Sequence, residues 1–205
     1  MVRLLRDGTP VILRTIRPQD RGRLQQALDA LSAASRRARF FADLHRFSND
    51  QLTYLTGVDQ DKHVAWIGLD PGQRMRAIGV GRFIRLGHEP HVAELALTVV
   101  DSYQERGLGT ALLGLLYHRA RALDVRTLRV YTAPTGGRFA ERLRRLGAVS
   151  QFQDGLLQLD LPVHADPIFL PRNHMGHRLR QLLREYDAAF GGLRGTGARN
   201  GRHVA

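Results

Sequence analysis

The sequence predicts a mixed α/β fold in which one central sheet is covered on its faces by helices. Three observations lead there. From Val92 to Leu161 the apolar pattern runs strand, helix, strand, helix, strand. His63 to Leu86 reads as two strands around the turn Asp70-Pro71-Gly72-Gln73, an antiparallel hairpin. The 205 residues, 43% apolar and 24% charged, suffice for one core of ordinary size and are too apolar for general disorder.

The elements follow in order. Val11, Leu13 and Ile16 mark a first strand after the turn Asp7-Gly8-Thr9-Pro10. Pro18 and Asp20 suit a helix start, and Leu24, Ala27, Leu28 and Leu31 recur at helical spacing. Ser32 to Ser35 interrupts that pattern, so a second helix is expected across Arg39 to Leu44. A third runs from Ser48, which offers cap atoms, to Leu55. Gly79 and Gly81 weaken the second hairpin strand; a close backbone approach and plain sequence variation account for them equally well. Val92 to Val100 is a strand, and Leu108 to Leu123 is the strongest helix, with Ala111, Leu112, Leu115, Leu116 and Ala120 on one face. Thr127 to Thr132 is a strand, Arg138 to Leu146 a helix stopped by Gly147, and Leu156 to Leu161 a last strand before Pro162. Residues 1–162 are therefore expected to form one domain. Residues 163–205 are expected to be a basic C-terminal extension, helical from His177 to Phe190 and flexible from Gly191 onward.

Composition removes several classes of function. Without cysteine there is no disulfide scaffold, zinc-thiolate site, iron-sulfur cluster or cysteine nucleophile. His88 and His91, and His174 and His177, lack convincing partner ligands, so no metal is expected. No apolar run reaches the roughly 18–20 residues needed to span a bilayer, and Met1 to Arg17 has no signal-peptide core. A soluble cytoplasmic protein without a membrane partner is expected. The net charge of +12 attracts anions generally. All 31 basic residues but Lys62 are arginine, however, a bias that coding composition explains as well as a polyanionic partner does. No nucleic-acid motif accompanies the charge, and nucleic acid is not an expected partner.

The informative segment is the turn between the Val92 strand and the long helix, Gln104-Glu105-Arg106-Gly107-Leu108-Gly109-Thr110. Glycines permit tight geometry and expose backbone N–H groups, and the start of the following helix leaves further N–H donors at its positive end. Such a turn can cradle a diphosphate, with Gln104 and Arg106 adding hydrogen bonds or charge. The spacing lacks the third glycine of the dinucleotide motif and the Gly-Lys-Ser/Thr ending of a P-loop.

The turn resembles the acyl-CoA signature of the GNAT acyltransferase superfamily, and the order of elements around it resembles that family from about Thr9 to Leu161. Asp7 to Asp20, with Ser32, Ser35, Arg39-Phe40-Phe41 and Leu52 to Thr56, looks like the acetyltransferase domain of bacterial Pat-type protein-lysine acetyltransferases. The resemblance implies a GNAT-like mixed, mostly antiparallel central sheet flanked by helices. It also implies acetyl-CoA as acyl-donor cosubstrate, with the pantetheine arm along Leu97, Thr98 and Val99, where two strands splay apart. The acceptor it implies is an amine, a protein lysine before an antibiotic or a polyamine.

An amine attacking a thioester must lose a proton. Glu94 matches the glutamate that carries this role in the resembling family, and it shares a face with Ala96 and Thr98 by two-residue alternation. Burial there would favour the neutral form of its carboxylic acid; a strand-end glutamate facing water or paired with an arginine is the alternative. Backbone donors near Leu97 to Val99 are candidates for holding the thioester oxygen. Two positions depart from the family pattern. Gly136 stands where many members have a cofactor-contacting asparagine, and Leu143 where many have a tyrosine acid. These leave open a non-catalytic acyl-CoA-binding module and a small-amine acetyltransferase. Arg36, Arg37 and Arg39 are candidates for meeting an acidic part of the substrate.

Overall fold

A computed structural model describes residues 1–191. Eight strands among them form one sheet: β1 (Val2–Leu4), β2 (Pro10–Thr15), β3 (His63–Asp70), β4 (Arg76–Leu86), β5 (Glu89–Val99), β6 (Thr127–Thr132), β7 (Val149–Gln153) and β8 (Leu156–Pro162). Their order is β1-β2-β3-β4-β5-β6-β8-β7. Every neighbouring pair is antiparallel except β5 and β6. That parallel pair needs a long crossover, which the chain makes through a helix.

The helices are α1 (Arg21–Asp29), α2 (Ala33–Phe40), α3 (Asn49–Thr56), α4 (Leu108–Ala122), α5 (Gly137–Arg145) and α6 (His174–Phe190). The register Val80↔Thr98, Arg82↔Ala96 and Ile84↔Glu94 puts these six residues on one sheet face. Leu24 and Ala27 of α1 pack with Ala65, Ile67 and Leu69 on that side. Ala93 and Leu95 face the other way and pack with Leu113 and Leu116 of α4. Gly79 and Gly81 now have a definite reason: a Cβ on Gly81 would stand 2.8 Å from Leu116 Cδ1 and 2.9 Å from Leu97 Cδ2. The helix lies on bare backbone there.

The C-terminal helix begins at His174, earlier than expected, where the Asn173 side chain accepts from the Gly176 N–H. Leu179, Leu182, Leu183 and Tyr186 are buried, and the Tyr186 hydroxyl donates to the Ala111 carbonyl at 3.1 Å, so α6 belongs to the core beneath α4. The expected flexible segment after Gly191 lies outside the described residues.

Two expectations are corrected. The helix predicted over Arg39 to Leu44 is α2 at Ala33–Phe40. Ser32 starts it, accepting from the Ser35 N–H, and Phe41 ends it in the left-handed region at φ 54°. The serines that looked like an interruption are its cap. Strands β1 and β7 are additional to the expected set. Both are edge strands, and all five residues of β7 are exposed, so it carries no apolar alternation to read.

Candidate active site

β5 and β6 pair only from Val92–Glu94 to Thr127–Arg129. Beyond Glu94 the strands part. Arg129 fastens the closed end, donating to Glu89 at 2.7 Å and to Asp160 at 2.9 Å, and these carboxylates raise its already high pKa. The gap opens into a cleft of about 560 Å³, lined by Glu94 to Val99 on one side and Val130 to Thr132 on the other. That volume lies within the range of small-ligand sites. The Val100 N–H is bonded to the Ile78 carbonyl on β4. By alternation along the strand, the N–H groups of Leu97 and Val99 point the opposite way, towards the gap.

At the open end the chain turns into α4. Glu105 has φ 60° and Gly107, at the helix start, φ 96°. Among the described residues no side chain caps this helix, and its first backbone bond runs from the Ala111 N–H to the Gly107 carbonyl. The amides of Leu108, Gly109 and Thr110 therefore have no partner within the helix. Gln104, Glu105, Gly107, Gly109 and Thr110 line the cleft. Leu108 is core, with 1% exposure, and offers only its backbone. The expectation that Arg106 reaches a phosphate is not met by its position. It pairs with Asp7 at 2.8 Å, lies over the Tyr103 ring at 5.0 Å and is absent from the cleft lining.

Glu94 lines the cleft on the face shared with Ala96 and Thr98, as the alternation predicts. It is exposed, as in the water-facing alternative: α1 to α3 cover the sheet near Ala96 and Thr98 but leave the β5–β6 fork open. Gly136 starts α5 at φ 65°, and Leu143, whose side chain carries no acid, is fully buried in the core.

Several cleft residues escaped the sequence reading. Arg138 and Arg142, one turn apart on α5, line its walls, as do Ser35 and Arg39 of α2, which the sequence singles out for other reasons. Arg138 reaches the turn by pairing with Glu105, whose carboxyl it holds below the usual range. Asp101 clamps α2 to the same turn, accepting from the Ser32 N–H at 2.9 Å and from the Ser32 and Ser35 hydroxyls at 3.0 and 2.7 Å. Burial acts to raise the Asp101 pKa, but these hydrogen bonds prevail and lower it. The only sequence signal was the spacing of Arg138 and Arg142 by four. Arg36 and Arg37, expected to meet an acidic substrate, instead face Asp43 at 3.1 and 3.9 Å.

Among the described residues, no group of three or more histidines and carboxylates is placed to hold a metal, and no helix is long and apolar enough to cross a membrane. A family model described as the acetyltransferase (GNAT) family matches residues 23–148. An acetyltransferase of Pseudomonas aeruginosa is 33% identical over 122 residues, 58% of this chain and 64% of that protein. The acetyltransferase Pat of Mycolicibacterium smegmatis is 32% identical over 126 residues, 61% of this chain and 38% of its own length. The chain thus matches less than two thirds of either relative. The solved GNAT domain of S. lividans PAT superposes with a TM-score of 0.73 at 26% identity, covering 79% of this chain and 96% of that one.

Proposed function

Because this chain belongs to the GNAT acetyltransferase family, we propose that it moves an acetyl group from acetyl-CoA to a primary amine, a protein lysine, in the cytoplasm, with Glu94 as general base. One observation carries the reading. The β5–β6 fork opens immediately after Glu94, and the same cleft ends at the uncapped start of α4. In this reading the amides of Gly107 to Thr110 hold the donor's diphosphate, with Gln104 and Glu105 at its edge and Arg138 and Arg142 supplying the positive charge that Arg106 does not. The pantetheine arm lies along Leu97, Thr98 and Val99, and the gap-facing N–H groups of Leu97 and Val99 hold the thioester oxygen.

The acceptor nitrogen attacks the thioester carbon, forming C–N while C–S breaks. Glu94 accepts the proton that the nitrogen becomes acidic enough to release as the bond forms. The departing sulfur needs no strong acid, because a thiol is itself moderately acidic. Residues 1–162 carry this chemistry, and the following segment buttresses α4 through α6.

The burial of Leu143 favours a second reading, an acyl-CoA-binding module without turnover. Incubation of the protein with acetyl-CoA, protein extract and small amines, recording thiol release and acceptor mass, separates the two. The expected result is acetylated protein lysines, with turnover about 10²–10⁴-fold lower in Glu94→Gln and CoA affinity retained. Binding without turnover selects the module, and acetylation of small amines alone makes the protein a small-amine acetyltransferase. A Glu94→Gln protein that loses CoA binding as well removes the support for the base role.

A further inference from the structure

A second hollow of about 50 Å³ opens beside the cleft, between the sheet and α1 to α3. Arg39, Ala96 and Thr98 line both spaces, so the hollow is continuous with the wall that carries Glu94. Its other walls are largely apolar, including Leu24, Leu28, Phe47 and Leu55. Into this apolar space come two guanidinium groups. Arg82, opposite Ala96 on β4, is only 5% exposed. Its Nη1 donates to the Leu55 carbonyl at 3.2 Å and meets His63 Nε2 at 3.1 Å. Arginine only donates, so that histidine nitrogen is an unprotonated acceptor and His63 is neutral. Arg39, unlike Arg36 and Arg37, has no carboxylate within 4 Å among the described residues, and neither has Arg82. The two arginines repel each other, and burial, with that repulsion second, lowers the Arg82 pKa to about 10. Burial lowers the Arg39 pKa as well, against the charge of Glu94, and Arg39 lines both the cleft and the hollow.

A buried Arg82 and a half-buried Arg39 that share an apolar hollow with no carboxylate in contact among the described residues are costly unless an anion joins them. We infer that the hollow receives a carboxylate of the acceptor, held by Arg82 and Arg39 while the acceptor's amine lies at Glu94. This deepens the acyltransferase reading and rests on it. The volume matches on the order of three to five water-sized spaces at roughly 10–15 Å³ each, which suits a carboxymethyl group. The carboxylate can belong to an acidic residue beside the target lysine or to the α-carboxyl group of a free amino acid. Guanidinium forks recognise both alike.

The test compares kcat/KM for two matched acceptor pairs: a peptide with glutamate or glutamine beside its single lysine, and free lysine against lysinamide. The wild-type protein should favour the carboxylate member of at least one pair by tenfold or more, and the pair that discriminates identifies the source. In Arg82→Gln and in Arg39→Gln that preference should fall to within threefold of unity, with partial recovery in Arg82→Lys. Arg39 lies on a surface helix, so its variant remains informative if Arg82→Gln does not fold. Equal rates on both pairs, or a preference that survives both substitutions, overturn the inference while the acyltransferase reading stands. If no amine is acetylated, that reading fails instead, and the hollow is judged by titrating glutarate against glutaramide. Amide shifts at Ala96 and Thr98 with glutarate alone support it, and equal or absent shifts overturn it.

Discussion

Gly107 has φ 96°, a backbone state in which any other L-residue is strained, while its Cβ side would meet only ordinary contacts, the nearest Arg6 Cγ at 3.6 Å. Conformation, not crowding, demands glycine there. Gly107→Val should cost about 1–3 kcal/mol in stability and weaken CoA binding at least tenfold in calorimetry; a folded variant with unchanged affinity would remove the turn from the site. Single residues were legible where local rules sufficed. Two-residue alternation places Glu94 on the face of Ala96 and Thr98, and the helix start identifies the amides of Leu108 to Thr110. Side-chain destinations set by distant partners were not legible. Arg106 is drawn off by Asp7, 99 residues away in the chain, and Arg138 is drawn in by Glu105. Nothing in a local window distinguishes these two arginines.

At the scale of elements, the contact between α4 and β4 depends on glycines that read ambiguously in sequence. Gly81→Val would push a side chain against Leu116, Leu97 and Leu112. Such overpacking typically costs about 1–3 kcal/mol, and the urea midpoint should fall accordingly. A variant as stable as wild type would mean that α4 can lift from the sheet. The amphipathic α4 was read to within a residue, because a broad apolar face leaves a strong period. The eight-residue α2 has no buried residue, so its position rested on capping alone, and the Ser32 cap was read as a break. The edge strand β7 packs no face and left no pattern at all.

For the whole molecule, charge burial sets an acid limit. Asp20 is fully buried; burial pushes its carboxyl up, but hydrogen bonds from Arg14 and the Arg17 N–H, with the charges of Arg14 and Arg23, hold it below the usual range. Its contribution to stability is complete above the unfolded pKa near ~3.9 and is lost as pH falls through the folded value. His63 acts in the same sense. Burial, then the Arg82 charge, lowers its pKa to about 4, whereas in the unfolded chain it titrates near ~6.5. Stability should therefore decline as pH falls from about 6.5 towards 4, as protonation would remove the acceptor of Arg82 and add a third cation. The urea midpoint should drop between pH 7 and pH 4.5, with a smaller drop in His63→Gln. A flat profile, or an equal drop in both proteins, would contradict this assignment.

The topology that puts one parallel pair in an otherwise antiparallel sheet also produces the fork, and the central claim is that the fork holds the acyl donor. Amide resonances of the labelled protein, followed during titration with CoA and then acetyl-CoA, test it most directly. The account predicts that CoA shifts the amides of Gly107 to Thr110 most, and that the acetyl group adds a change confined to Leu97 to Val99. Largest shifts on α6 or β7, with those two segments silent, would contradict it.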